Sequence, residues 1–96
     1  MSDDFFWEKS KAERVLAERG LTFDEVKTVF DDPFVEIAPD FLHSVDEARF
    51  AAIGLSSQNR LLVVTFTERA RTVRIITARE ATPKERRYYE SGNSFN

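Results

Sequence analysis

The sequence predicts an α+β fold: two N-terminal helices, a four-stranded antiparallel sheet and a C-terminal helix. Three observations carry that expectation. The apolar period is helical before Pro33 and strand-like from Phe34 onward, most connections between strand candidates are hairpin-length, and a well-formed helix start follows the last strand.

Helix one is expected from about Trp7 to Arg19, because Trp7, Ala12, Val15, Leu16 and Arg19 fall on one side of a helix and Gly20 supplies a C-terminal stop. Helix two begins after Thr22, which with Glu25 makes a T-x-x-E capping box, while Leu21 and Val26 can close as a hydrophobic staple. Phe23, Val26 and Phe30 continue its apolar face, and Pro33 ends it. Four strand candidates follow: FVEIA from Phe34, EARFAAIGLS from Glu47, RLLVVTFTE from Arg60 and TVRIITARE from Thr72. The last two connections are too short for a parallel crossover, so the strands form a meander. Only PDFLHSVD, between the first two strands, is long enough to be a functional loop. Thr82 as N-cap, Pro83 at the first helical position and Glu85 three residues after the cap then start helix three, which is expected to run to about Glu90.

The 96 residues, 42% of them hydrophobic, suit one small domain over 1–96, with 1–4 and 92–96 frayed. No apolar run approaches the length of a membrane span, and the acidic start does not read as a secretory leader, so a cytoplasmic protein without membrane contact is expected. There is no cysteine and only one histidine, which excludes a disulfide framework and a thiolate metal site; no cofactor and no metal are expected. Residues 1–59 carry six Lys/Arg against thirteen Asp/Glu and residues 60–96 eight against four, a polarised chain of net charge −3. An anionic ligand is expected to dock on the basic C-terminal part.

Several stretches together resemble one known family. They are FxW with Lys11 four residues on, a glycine closing the first helix, TFDEVxTVFDDP, HSxDExRFxxIGxSSxxRLLVVxxTER and VRIITARxATxxERRxYE. In order and spacing, from about Phe5 to Gly92, they are similar to the BrnT toxins of type II toxin–antitoxin systems. The resemblance implies a fold akin to the RelE and ParE toxins, ribonuclease activity that inhibits translation, and a BrnA-type ribbon-helix-helix antitoxin through which alone DNA is bound. The first helix departs from the family's pattern: Glu18-Arg19-Gly20 stands where Lys-His-Gly is usual, and Val15 where an Asn is usual.

RNA cleavage without a metal needs a base for the 2′-hydroxyl, cations for the charge developing at phosphorus, and an acid for the leaving 5′-oxygen. Lys11, His43, Arg49, Arg79 and Tyr88 are the candidate catalytic residues, and Arg74, Lys84, Arg86 and Arg87 the candidate RNA contacts. Each has a structural alternative. His43 can be held by hydrogen bonds in its loop, Arg49 can pair with Glu47 or snorkel from an apolar face, and Tyr88 or Tyr89 can pack on the sheet. Arg79, beside the start of helix three, can meet a phosphate together with the helix amides, or pair with Glu80 or Glu85. Strict alternation would place Arg74 and Arg79 on opposite sheet faces. Two other functions stay open: a degenerate relative that only binds an antitoxin and assists operon repression, and a nucleic-acid-binding domain that does not cleave.

Overall fold

Helical spacing from Trp7 conceals a strand. In the structure, a computed structural model that describes residues 4–40 and 47–94, Asp4–Trp7 forms β1, and the first helix, α1, covers Lys9–Arg19. Then come α2 (Phe23–Lys27), a 3₁₀ turn (Thr28–Asp31), β2 (Glu36–Pro39), β3 (Phe50–Leu55), β4 (Leu61–Arg69), β5 (Thr72–Glu80) and α3 (Pro83–Ser94). The last four strands make the expected antiparallel meander. β1 joins β5 in parallel, so the sheet is five-stranded and mixed, in the order β1-β5-β4-β3-β2. The physical reason is the alternation within Phe5-Phe6-Trp7: Phe5 and Trp7 turn to the core while Phe6 is exposed. α1 continues along β5 beyond the end of β1. There Arg19 covers the open edge, donating from Nη1 to the Ala78 carbonyl at 2.9 Å and to Thr77 Oγ1 at 3.3 Å.

Local signals set the helix ends. Gly20 adopts φ 68°, which a side chain would disfavour, and its N–H closes α1 on the Leu16 carbonyl at 2.9 Å. Thr22 Oγ1 accepts the Glu25 N–H at 3.1 Å, half of the capping box. The other half is diverted: the Glu25 carboxylate turns to Arg60 and Ser56. At α3 the box closes fully, with Glu85 N–H to Thr82 Oγ1 at 3.2 Å and Thr82 N–H to Glu85 Oε1 at 2.9 Å.

The core lies on one side of the sheet. Leu21, Val26 and Val29 from the α2 region and Val15 from α1 pack on Ala52, Leu62, Val64, Phe66, Val73, Ile75 and Ala78. A run of rings, Phe5 to Phe30 to Phe66 to Phe50, links β1 to β3 with centroids 5.3, 5.1 and 5.6 Å apart. Gly54 of β3 has a packing reason, since a Cβ there would lie 3.0 Å from Val29 Cγ1 and 3.1 Å from the Val29 carbonyl oxygen. α3 packs on β3 and is anchored by buried Tyr89, whose hydroxyl donates to Asp32 Oδ2 at 2.5 Å.

Alternation along β5 is broken once. The pairing runs from Thr65–Thr77 directly to Phe66–Ile75, leaving Ile76 as an extra residue in a bulge. Val73 and Ile75 before it, and Ala78 after it, therefore all reach the core. Arg74, Thr77 and Arg79 all share the opposite face with their partners Thr67, Thr65 and Val63. The expectation that Arg74 and Arg79 project from different faces is thereby corrected.

Candidate active site

Three of the cations singled out in the sequence meet at the β1–β5 edge. Lys11, Arg49 and Arg74 line one concavity of about 80 Å³ together with Phe6, Glu8, Glu47 and Thr67. Parallel pairing puts Phe6 beside Arg74, and the Arg74 guanidinium lies over the Phe6 ring at 5.7 Å from its centroid. Phe6 is 48% exposed, so this stack faces solvent. Lys11 arrives from the first turn of α1, immediately after β1.

Arg49 and Glu47 come from the chain leading into β3. Two bonds hold that segment: the Thr67 hydroxyl donates to the Ala48 carbonyl at 2.8 Å, and the Asp40 N–H donates to the Arg49 carbonyl at 2.8 Å. Thr67 is itself opposite Arg74 in the sheet, so the Ala48 bond draws Glu47 and Arg49 toward the same spot. The Glu47 carboxylate is paired with Arg69 Nη2 at 3.1 Å. In the sequence Glu47 is legible as a partner for Arg49, and nothing in its spacing marks it as part of a site.

The arrangement suits a phosphodiester. The concavity admits a phosphoryl-sized group, its cations stand on three separate elements, and planar guanidinium donors complement phosphate oxygens. Among the described residues no three His, Asp or Glu side chains converge as a metal site.

Arg79 stands at the other end of the same sheet face. Its guanidinium is held by Glu85 of α3 through two parallel bonds, Nη1 to Oε1 and Nη2 to Oε2, each 2.8 Å. The anion that meets Arg79 and the α3 N-terminus is thus a carboxylate of the chain itself. The bonds from the Arg79 guanidinium, opposed by burial and aided by the Thr82 N–H, hold the Glu85 carboxyl down at about 2. A depressed carboxyl stabilises the fold above its unfolded value of 4.5, and that stabilisation is lost as pH falls toward 2. Arg79 is 42% exposed, so solvent screens the pair. Glu85→Gln is expected to cost about 1–2 kcal/mol at pH 7 and almost nothing at pH 2. Urea melts of both proteins across that range would read it; a deficit independent of pH would contradict the linkage.

The remaining candidates do not join the concavity. Lys84, Arg86, Arg87 and Tyr88 are exposed on α3; Arg86 lies 3.8 Å from Glu90, and Tyr88 is 53% exposed whereas Tyr89 is buried. Burial, followed by the bond to Asp32, pushes the Tyr89 hydroxyl up to about 12. His43 lies outside the described residues. Of the residues that depart from the family pattern, Val15 is a core residue and Arg19 caps the β5 edge; Glu18 is exposed.

Comparison with known proteins agrees with the fold and the motifs. Residues 7–85 match the sequence family described as ribonuclease toxin, BrnT, of type II toxin-antitoxin system. Among solved structures, the chain is similar to the Brucella abortus ribonuclease toxin BrnT, with a TM-score of 0.65 and 20% identity, covering 84% of this chain and 99% of that one. At that identity the structural likeness shows the fold. No curated protein matches at a significant level.

Proposed function

The chain belongs to the BrnT family, the ribonuclease toxins of type II toxin–antitoxin systems, and from that premise we propose that it is an endoribonuclease that inhibits translation by cutting RNA at the β1–β5 concavity. One observation carries the choice of site: Lys11, Arg49 and Arg74, far apart in sequence, line a single phosphoryl-sized concavity. Cleavage there proceeds without a resident metal, because cations already placed around the phosphate can offset the charge that develops on it. Arg49 and Arg74 bind the phosphate oxygens, Lys11 faces the leaving oxygen, and the Phe6 ring offers a neighbouring base a stacking surface. Lys84, Arg86 and Arg87, exposed on α3, extend a basic track for the RNA backbone.

A type II toxin has an antitoxin partner, and here that partner is a BrnA-type ribbon-helix-helix protein, which supplies the DNA contact. No helix among the described residues is long and apolar enough to cross a membrane, in keeping with action in the cytoplasm on RNA. Val15 and Arg19 serve the core and the sheet edge, so their departure from the family pattern leaves the concavity unaltered and supports a cleaving enzyme over a degenerate binding module.

The test is direct. Expressed alone, the protein should arrest growth and shorten cellular RNA, and co-expression of the adjacent antitoxin gene should restore growth. Purified protein should cleave RNA equally in EDTA and in magnesium. Normal growth with intact RNA at verified soluble expression would sink the ribonuclease reading and favour the binding module.

A further inference from the structure

Resting on the reading that RNA is cut at the β1–β5 concavity, we propose that Glu47 takes the proton from the attacking 2′-hydroxyl and that Arg69 holds it in position. A wall of cations binds and stabilises a phosphorane, yet protonated guanidinium and ammonium groups accept no proton. The concavity holds two carboxylates. Glu8 precedes α1, is exposed, and its Oε1 is engaged by the Ser10 hydroxyl at 3.1 Å. Glu47 also has one oxygen engaged, but it differs in its burial and in the partner that holds it.

It is half-buried, and the backbone beside it is tied to the sheet by the Thr67–Ala48 bond, so its position is set by β4. Arg69, at the end of β4, donates from Nη2 to Oε1 at 3.1 Å, which orients the carboxylate and leaves Oε2 as the acceptor. The charged groups around it come from every neighbouring element: Lys11 from α1, Glu8 before it, Arg49 before β3, Arg69 from β4 and Arg74 from β5.

The step then balances. Glu47 Oε2 accepts the 2′-hydroxyl proton, O2′ bonds to phosphorus, and the bond from phosphorus to O5′ breaks. The departing electron pair stays on O5′, which takes a proton from the Lys11 ammonium. Products are a 2′,3′-cyclic phosphate and a 5′-hydroxyl end, and solvent returns the proton from Glu47 to Lys11. Arg49 and Arg74 offset the added negative charge on the phosphorane oxygens.

Single-turnover cleavage of a short RNA, together with binding of the same oligonucleotide carrying 2′-deoxy at the cut site, tests the assignment. Glu47→Gln, nearly isosteric, should slow cleavage by at least about a hundredfold. Its affinity for the deoxy oligonucleotide should stay within about threefold of the parent or tighten, since a negative charge near the phosphate is removed. Glu47→Asp keeps the carboxylate and should recover part of the rate. Arg69→Met should lower the rate by about tenfold with affinity unchanged, as fits a positioning residue. Parental cleavage by folded Glu47→Gln, with Arg74→Ala inactive, would overturn the role of Glu47 and leave the site intact. Parental rates in both variants would overturn the site itself, and the proposal with it.

Discussion

Arg74→Ala should lower RNA cleavage by about a hundredfold to a thousandfold, the usual cost of removing one donor from a developing oxyanion. Arg74 lines the concavity from β5, where pairing sets it beside Phe6, whose ring it covers, and Thr67. Its contact with Phe6 is at an exposed site, so its loss should barely change the melting temperature. Arg74→Lys should recover little, because an ammonium lacks the planar pair of donors. Lys27→Ala, in α2 and outside the concavity, is the control and should change the rate by no more than about threefold. Single-turnover rates and melting curves on these proteins decide the matter. An Arg74→Ala protein that cleaves at the parental rate would move the search to α3 and to Arg79.

The largest effect on stability is expected at Glu25. Its carboxylate is only 6% exposed and accepts from Arg60 Nε at 2.8 Å and Ser56 Oγ at 2.7 Å, while Arg60 Nη2 bonds its other oxygen and also reaches the Gly20 carbonyl at 3.1 Å. One side chain thus joins the α1–α2 corner to the β3–β4 hairpin. The bond from Arg60, opposed by burial and aided by Ser56, holds the Glu25 carboxyl below its ordinary value. Its contribution is therefore complete above the ordinary glutamate range and fades as pH falls through the depressed value. Glu25→Ala should cost about 3 kcal/mol, a fall in Tm of about 10–20 °C for a domain of this size. Thermal melts at pH 7 would show it. A loss under about 1 kcal/mol would mean that Arg60 and Ser56 find solvent or other partners without strain.

The meander and the cap of α3 are legible in the sequence because their signals are local. Turn residues bound each strand, and Thr82, Pro83 and Glu85 specify a helix start within four residues. β1 is not legible for the opposite reason: Asp4–Trp7 has four residues, and its partner, residues 72–75, lies 68 positions away. The bulge at Ile76 has no glycine or proline to announce it, and a one-residue insertion is enough to reverse every later side chain in β5. The site follows the same division. Lys11, Arg49 and Arg74 are recognisable individually as cations in unusual places. Their meeting depends on the β1–β5 pairing and on the Thr67–Ala48 bond, and neither leaves a mark in residue spacing. Glu25 is readable as half of a capping box, but its turn toward Arg60 depends on a contact 35 positions distant.

The parallel β1–β5 pair also bears on how the protein comes into being. Synthesis releases β1 first, yet the strand that it must join is made after nearly three-quarters of the chain. Closing so long a loop is slow, and until it closes Phe6 and Lys11 have no fixed relation to Arg74. The α2 region and the β3–β4 hairpin can form earlier from nearer neighbours. An unfinished chain therefore carries parts of a core but not the β1–β5 concavity. The concavity is complete only once β5 has emerged.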